Sequence, residues 1–531
     1  MEKKTTQLTV EQLTKFLERL LALSSLAQFD DEKAMQNLAH LIDLSFDFNR
    51  EDGTEKAFAW IDELEKRPVS GINLPLLDYF HANAWTNRQR IRHLDQNSAW
   101  QWQQPEALQQ ILALRRASRR PEFAELPSGR QAEIWTNLGN QLNSLGRFAE
   151  AVPTWNRALQ ATPNFGMALG NRGLGFSEYA RSLYDPGHQE AFLLFAHRDL
   201  SAALSDAILY HGPYDDAKAA FKERKERIEA IVDIVKIAKE VRFDGYPLGQ
   251  SSGEQRYRNW VLSEGLFLNP LNDLGSYSIA AQDVFTLPSF TTGIHEPPTL
   301  IGLFNQMKQE YISARWFLFE GMEPTDPHFA DKGVVLYNTL DYPSYSIAVE
   351  RVKAAYRIAY ALFDKIAFFL NDYAQLNIKL TNVYFRTVWY ENQDARRGVV
   401  RDELLKAKNW PFRGLFWLSK DLFDPSLQDG AEPDAQELYV IRNCLEHRYL
   451  KVHEMLLKTS RANDLWTDRL AYSVGRDDFY RKTLRVLKLA RAALIYLSLG
   501  MHSEERRRAK DKADGIIAPM ILDLWEDKWK R

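Results

Sequence analysis

Apolar residues recur along most of the chain at spacings of three and four, and period-two alternation is scarce, so the pattern predicts an almost all-α protein. Leu13, Phe16, Leu17 and Leu20 mark a first amphipathic helix; Met35, Leu38, Ala39 and Ile42 mark a second. Ala57, Trp60, Ile61 and Leu64 form a third, stopped by Pro68 and Gly71. Further helices are predicted over 76–91 and 107–117, and one long charged helix over 215–241. Pro and Gly become frequent over 243–299, and Ser251-Ser252-Gly253 is loop-like, which sets a boundary near Gly245. Pro297-Pro298 opens another helix to about residue 321. Residues 333–340 read as a short β-like run broken at Tyr342-Pro343, and 382–390 as a second. Three long helices follow the second boundary, over 347–373, 433–457 and 479–499; the tail from His502, with Arg506-Arg507-Arg508, reads as partly exposed. The expected units are 1–243, a connector with a helical subdomain over 244–345, and a helical bundle over 346–531 with a small irregular or β insertion.

The first unit contains a repeat signature. Trp135, Leu138, Gly139, Leu142, Gly146, Phe148, Ala151, Trp155, Ala158 and Pro163 fall at the spacing of a tetratricopeptide repeat. In such a repeat small residues let two helices approach and large ones fill the gap. Gly173 follows Gly139 by 34 residues, one repeat length. Ala196, Leu200, Ala203 and Leu204 resemble the second helix of that next repeat, displaced by about eleven residues of insertion around Asp185-Pro186-Gly187. The N-terminal half is therefore expected to be a tetratricopeptide-like α-solenoid, with a protein or peptide partner on its concave face. Gly170, Gly173 and Gly175 belong to helix packing rather than to a nucleotide loop, and no G-x-x-x-x-G-K-[ST] motif is present.

The chemically pointed stretch lies inside the predicted helix 433–457: Arg442-Asn443-Cys444-Leu445-Glu446-His447-Arg448-Tyr449. Leu438, Ile441, Leu445, Tyr449, Val452 and Leu456 make its apolar stripe, which places Tyr449 in the core. Arg442 sits about 40° off that stripe, and His447 diverges from Arg442 by roughly 140°. Asn443 and His447, four apart, share a face. Arginine holds phosphate through a planar fork that stays charged. Histidine moves protons near neutral pH. An amide such as Asn443 orients one of them. Arg-x4-His occurs three times, at Arg88/His93, Arg442/His447 and Arg448/His453. Only the middle one has Asn next to its Arg and Tyr two after its His. Glu350 and Asp364, with Arg357 between them, are candidates to anchor Arg442. Downstream, 476–512 holds eleven Lys or Arg against five carboxylates. Arg481, Arg485 and Lys488 share a helical face there and are candidate RNA-backbone contacts, although a solvated helix face reads the same way.

The stretch from Arg442 to Tyr449 resembles the signature of the HEPN superfamily (higher eukaryotes and prokaryotes nucleotide-binding domains). Asn269-Pro270-Leu271-Asn272-Asp273-Leu274, the helix 350–373 and Asn409-Trp410-Pro411-Phe412-Arg413-Gly414-Leu415 look like a bacterial branch with large N-terminal extensions, over roughly 259–500. Many HEPN relatives are metal-independent RNA endonucleases, toxins or phage-defence effectors, and one toxin branch carries Arg-x4-His-x-Tyr. The resemblance implies a ribonuclease with Arg442, Asn443 and His447 as catalytic residues and Tyr449 in support. It also implies a homodimer with a composite site, structured RNA such as tRNA as target, and no metal or cofactor. The competing expectation is a non-catalytic scaffold, in which the repeat half binds a peptide and the HEPN half dimerises or binds nucleotide.

Composition narrows these readings. Net charge is −3, so RNA contact must come from a local patch rather than an overall polycation. The single cysteine, Cys444, excludes an intramolecular disulfide and a cysteine-based zinc site, and suits a reducing cytoplasm. His453 and Glu454 lack a third ligand at metal spacing. Residues 1–10 lack a signal-peptide apolar core, and no apolar run approaches the ~18 residues of a membrane span. Aromatics reach 12%, which fits helix-on-helix packing better than disorder.

Overall fold

The computed structural model describes residues 9–67, 73–92, 100–208, 210, 214–293, 295–323, 327–395, 398–405, 408–423, 435–454, 470–511 and 519–530. The chain is mostly helical, as the periodicity predicts. The first half runs through α1 (Val10–Ala22), α2 (Asp31–Asp47), α3 (Glu51–Glu65), α4 (Leu74–Arg92), α5 (Pro105–Arg119), α6 (Ser128–Ser144), α7 (Phe148–Ala161), α8 (Gly166–Ser182), α9 (Pro186–Ala203), α10 (Asp215–Ile231) and α11 (Ile234–Glu240). Helix starts are set locally. Thr9 and Gln12 form a reciprocal capping box at α1, and Asp30 and Asp185 cap α2 and α9 through Lys33 N–H and His188 N–H. The helix expected over 215–241 is two. Val232 is extended, and Asp233 caps a new start at α11 by accepting from Lys236 N–H.

Helix pairs α6/α7 and α8/α9 stack as the repeat signature predicts. Trp155 is their common wedge. Its ring is buried, and a Cβ added to Gly139 or Gly175 would lie 2.6 or 2.5 Å from it, so only glycine admits the indole on both sides. The insertion expected around Asp185-Pro186-Gly187 does not loop out. Residues 183–185 form a turn as short as 145–147, and the extra length is taken up in α8 and α9.

The second half contains α12 (Ser252–Ser263), α13 (Thr299–Met322), α14 (Ile347–Tyr373), the short α15 (Asp402–Leu405), α16 (Trp410–Phe423), α17 (Ala435–His447), β1 (Tyr449–His453), β2 (Ala471–Gly475) and α18 (Arg476–Asp511). α13, α14, α16 and α18 pack into a bundle, with Tyr356, Phe363, Ile366, Leu415, Val486 and Leu494 among its buried side chains. Neither β-like run from the sequence becomes a strand. Residues 333–340 stay irregular and exposed, with Tyr337 at 88%. Residues 382–390 form turns ending in one antiparallel bridge, Tyr390 to Val400. The two-stranded sheet lies elsewhere, in the predicted helix 433–457 and the stretch before α18.

The largest hydrophobic cluster extends from Leu17 to Met501 and continues across the expected boundary near Gly245. The α6–α7 turn presses on α16. Gly146 has φ +87°, and a Cβ there would sit 2.1 Å from Trp410 O; one on Gly414 would sit 2.1 Å from Gly146 O. Trp410 Nε1 donates to Asn143 O at 2.8 Å and Trp417 Nε1 to Trp102 O at 2.8 Å. Charges reinforce this seam. Arg115 makes a bidentate pair with Asp421 at 2.6 and 2.8 Å, while Arg147 bridges Asp421 and Glu150. Burial opposes the Asp421 charge, but Arg115 and Arg147 override it and hold the carboxyl well below its usual range. Among the described residues, no helix is long and apolar enough to cross a membrane.

Candidate active site

α17 buries Leu438, Ile441, Cys444 and Leu445 against the bundle. Two side chains of α14 hold its backbone. Tyr356 Oη donates to Leu438 O at 2.6 Å, and an Arg357 guanidinium N–H donates to Leu445 O at 2.5 Å. The second contact satisfies one of the carbonyls left open at a helix C-terminus and puts a cation at its negative end. The helix then stops. Arg448 N–H makes a last bond to Cys444 O at 3.0 Å, and Tyr449 begins β1.

β1 pairs in parallel with β2, from Tyr449 opposite Ala471 to His453 opposite Gly475. On its other side Ser344 N–H donates to Val452 O at 2.7 Å. The helix expected to 457 is therefore corrected to a helix ending at His447 and a strand. Tyr449, expected on the core stripe, is 41% exposed. Leu456 lies outside the described residues. In the third Arg-x4-His pair, Arg448 is exposed between α17 and β1, and His453 ends the strand. His453 is buried with its Nε2 3.2 Å from Ser473 Oγ, beside buried Lys451, whose Nζ is 2.6 Å from Asp341 Oδ2. In the first pair, Arg88 lies over the Phe58 and Trp85 rings and pairs with Glu55 at 2.6 Å. His93 is outside the described residues.

The motif residues take three positions around the end of α17. Arg442 is half-buried and donates to Asn443 Oδ1 at 3.2 Å. It lies near the Tyr360 hydroxyl, which burial pushes up and Arg442 pulls down. His447, the last helical residue, is exposed, and no hydrogen bond to its imidazole is made among the described residues. Asn443 thus partners the guanidinium rather than the imidazole.

The expected carboxylate anchor is not found. Glu350 is exposed and pairs with Lys353 at 2.7 Å. Asp364 accepts Phe385 N–H at 3.0 Å, fixing the irregular insertion, and forms no ion pair with Arg442. The basic trio on α18 divides. Arg481 is 77% exposed and pairs with Asp478 at 3.1 Å. Arg485 reaches Glu150 of α7 at 3.5 Å, and Lys488 reaches Glu264 at 2.8 Å.

Sequence reasoning missed Tyr356 and Arg357 as the α14 side chains that hold the α17 backbone. Their position on the helix facing the motif is the signal that could have found them. The other signature stretches prove to be stitching. Asn409 Nδ2 donates to Gly500 O at 2.7 Å and its Oδ1 accepts Phe412 N–H at 3.0 Å. Arg491 of α18 binds Phe267 O at 2.6 Å, Asn269 O at 2.9 Å and Asp273 Oδ1 at 2.6 Å, and Tyr179 of the solenoid donates to Asp273 Oδ2 at 3.0 Å.

Residues 291–504 match a family described as LA2681-like HEPN. The C-terminal half therefore carries a HEPN-type domain, preceded by a large N-terminal region. The match starts later than the expected 259, so Asn269–Leu274 lies before it. Searches of curated proteins and of solved structures found no match.

Proposed function

We propose that the HEPN-type domain is a metal-independent RNA endonuclease completed by two copies of the chain, with Arg442 of one copy and His447 of the other meeting at one phosphate. One observation carries this reading. Both side chains reach the surface from α17, yet five helical residues separate them by roughly 140°, so a single helix cannot aim both at the same atom. A two-fold related α17 supplies the missing half at each of two sites.

In the reaction His447 accepts the 2′-hydroxyl proton as the 2′-oxygen attacks phosphorus. Arg442, oriented by Asn443, neutralises the charge that grows on the non-bridging oxygens. The bond to the 5′-oxygen breaks, and that oxygen takes a proton from the imidazolium or from water. The products are a 2′,3′-cyclic phosphate and a 5′-hydroxyl. Of Arg481, Arg485 and Lys488, Arg481 is the one to follow the RNA backbone, since Arg485 pairs with Glu150 of the N-terminal unit and Lys488 with Glu264 of the connector. The role we assign is that of a cytoplasmic toxin or phage-defence effector acting on tRNA or other structured RNA, controlled by a protein or peptide at the repeat half. The HEPN-type match and the Arg442–His447 motif support it.

The test is cleavage of tRNA by purified wild type, His447→Ala and Arg442→Ala in excess chelator. Wild type should cut, and each variant should lose ~10²–10⁴-fold. A 2′-deoxy nucleotide at the cut site should block cleavage because the nucleophile is gone. Equal cleavage by all three proteins, or cleavage lost only on chelation, overturns the reading. A wild type that binds RNA or dimerises without cutting supports the non-catalytic scaffold instead.

A further inference from the structure

A second site lies away from α17, where the solenoid meets the end of α18. α8, α9, α10 and α18 enclose a cavity of about 620 Å³. That is within the ~300–1,000 Å³ range of small-molecule sites. Its walls carry four arginines, Arg181, Arg224, Arg227 and Arg506, over an apolar floor that includes Leu193 and Ile228. No carboxylate is among its described lining residues.

Neighbouring acids do not balance these cations. Arg227 pairs with Glu223 at 2.5 Å, and Arg181 approaches Glu178 only to 3.9 Å, while Glu178 also accepts from Asn143 Nδ2 at 2.7 Å. Arg224 donates to a neutral hydroxyl, Ser177 Oγ, at 3.1 Å. Arg507 and Arg508 are taken by Glu504 and Glu505, whereas Arg506 makes no ion pair among the described residues. Two guanidiniums thus face the cavity without an anion. Burial lowers the Arg224 pKa, and the like charge of Arg181 adds to it. Burial lowers that of His502, with Arg506 contributing. Burial is the larger cause in both, and Glu178 and Glu223 oppose the Arg224 shift without cancelling it.

We propose that this cavity binds a phosphorylated small molecule of nucleotide class, with its phosphates on Arg224 and Arg506 and its apolar body on the Leu193–Ile228 floor. Two uncompensated guanidiniums ask for at least two negative charges, which a phosphate supplies and a single carboxylate does not. The apolar floor adds affinity for a nucleobase that inorganic phosphate cannot use. Because Arg224 belongs to the solenoid and Arg506 to the longest helix of the bundle, a ligand held by both clamps the two regions together. This proposal is independent of the cleavage reaction.

The probe is ADP, titrated into the full chain by calorimetry beside adenosine, inorganic phosphate and octanoate. ADP should bind at least tenfold tighter than any of the three. Arg224→Gln and Arg506→Gln should each weaken ADP at least tenfold, whereas Arg442→Ala and His447→Ala should leave it unchanged. Arg506 is exposed, so its variant keeps the test open should Arg224→Gln fail to fold. No heat with ADP up to millimolar concentration, or equal affinity in wild type and Arg506→Gln, overturns the site. So does loss of binding in Arg442→Ala alone. Octanoate binding as tightly as ADP overturns the ligand class.

Discussion

Two arginine-bearing places on this chain look alike in sequence and differ in kind. At the α5–α7–α16 seam, Arg115 and Arg147 are buried and both reach Asp421. At the end of α17, Arg442 is half-buried and meets only an amide oxygen among the described residues, while His447 stands exposed. Burial makes a charge costly unless it is paired, so the seam arginines are committed to holding two regions together. On the proposed reading, Arg442 and His447 keep their remaining hydrogen-bonding capacity for RNA. The residue type does not separate structure from chemistry here; the presence of a buried carboxylate does.

The sharpest way to break this contrast is to truncate both places and read both activity and stability. On the proposed reading, His447→Ala lowers cleavage by ~10²–10⁴-fold, with stability within about 0.5 kcal/mol of wild type because the site is exposed. Asp421→Ala should do the reverse to stability. It removes the carboxylate that Arg115 holds bidentately and leaves Arg147 with Glu150 alone, and should cost about 3–5 kcal/mol by urea unfolding. Acid resolves the same pair. The Asp421 pKa is depressed in the folded chain, so its contribution is present above its unfolded value and is lost as pH falls below about 4 towards the folded pKa. The stability gap between wild type and Asp421→Asn should therefore narrow on acidification.

Smaller effects sharpen the seam. Gly414→Ala drives a methyl into the Gly146 carbonyl 2.1 Å away, and should cost about 1–3 kcal/mol through a forced backbone shift. An unchanged denaturation midpoint would show that the α6–α7 turn and α16 do not bear on one another. Lys488→Ala breaks a half-exposed pair with Glu264 and should change stability by no more than about 1 kcal/mol. A large loss there would place the α18–connector junction among the committed contacts.

The legible parts of the molecule were those with a long period. α14, α13 and the α6–α9 pairs follow from apolar spacing, and Gly139 with Trp155 fixes their closest approach. The end of α17 departs from the sequence pattern for a physical reason. Leu445, Tyr449 and Val452 fit a helix stripe, but Leu450 and Val452 fit a strand equally well, and β1 is decided by partners distant in sequence, Ala471–Gly475 and Ser344. The Asn409–Leu415 and Asn269–Leu274 stretches were legible as signatures but not as contacts, because their partners Gly146, Gly500 and Arg491 lie far along the chain. The motif itself needed only helical geometry, while its support from Tyr356 and Arg357 needed the fold.

The central claim, a composite site at a two-fold axis, is tested most directly by mixing two inactive variants. Arg442→Ala and His447→Ala are co-refolded or exchanged at equal concentration and assayed on the same RNA in chelator. A mixed dimer holds one site with both residues intact and one with neither, so random pairing should restore about one quarter of wild-type activity. Activity no greater than the sum of the two separate variants, with mixed dimers demonstrably formed, would contradict the composite site.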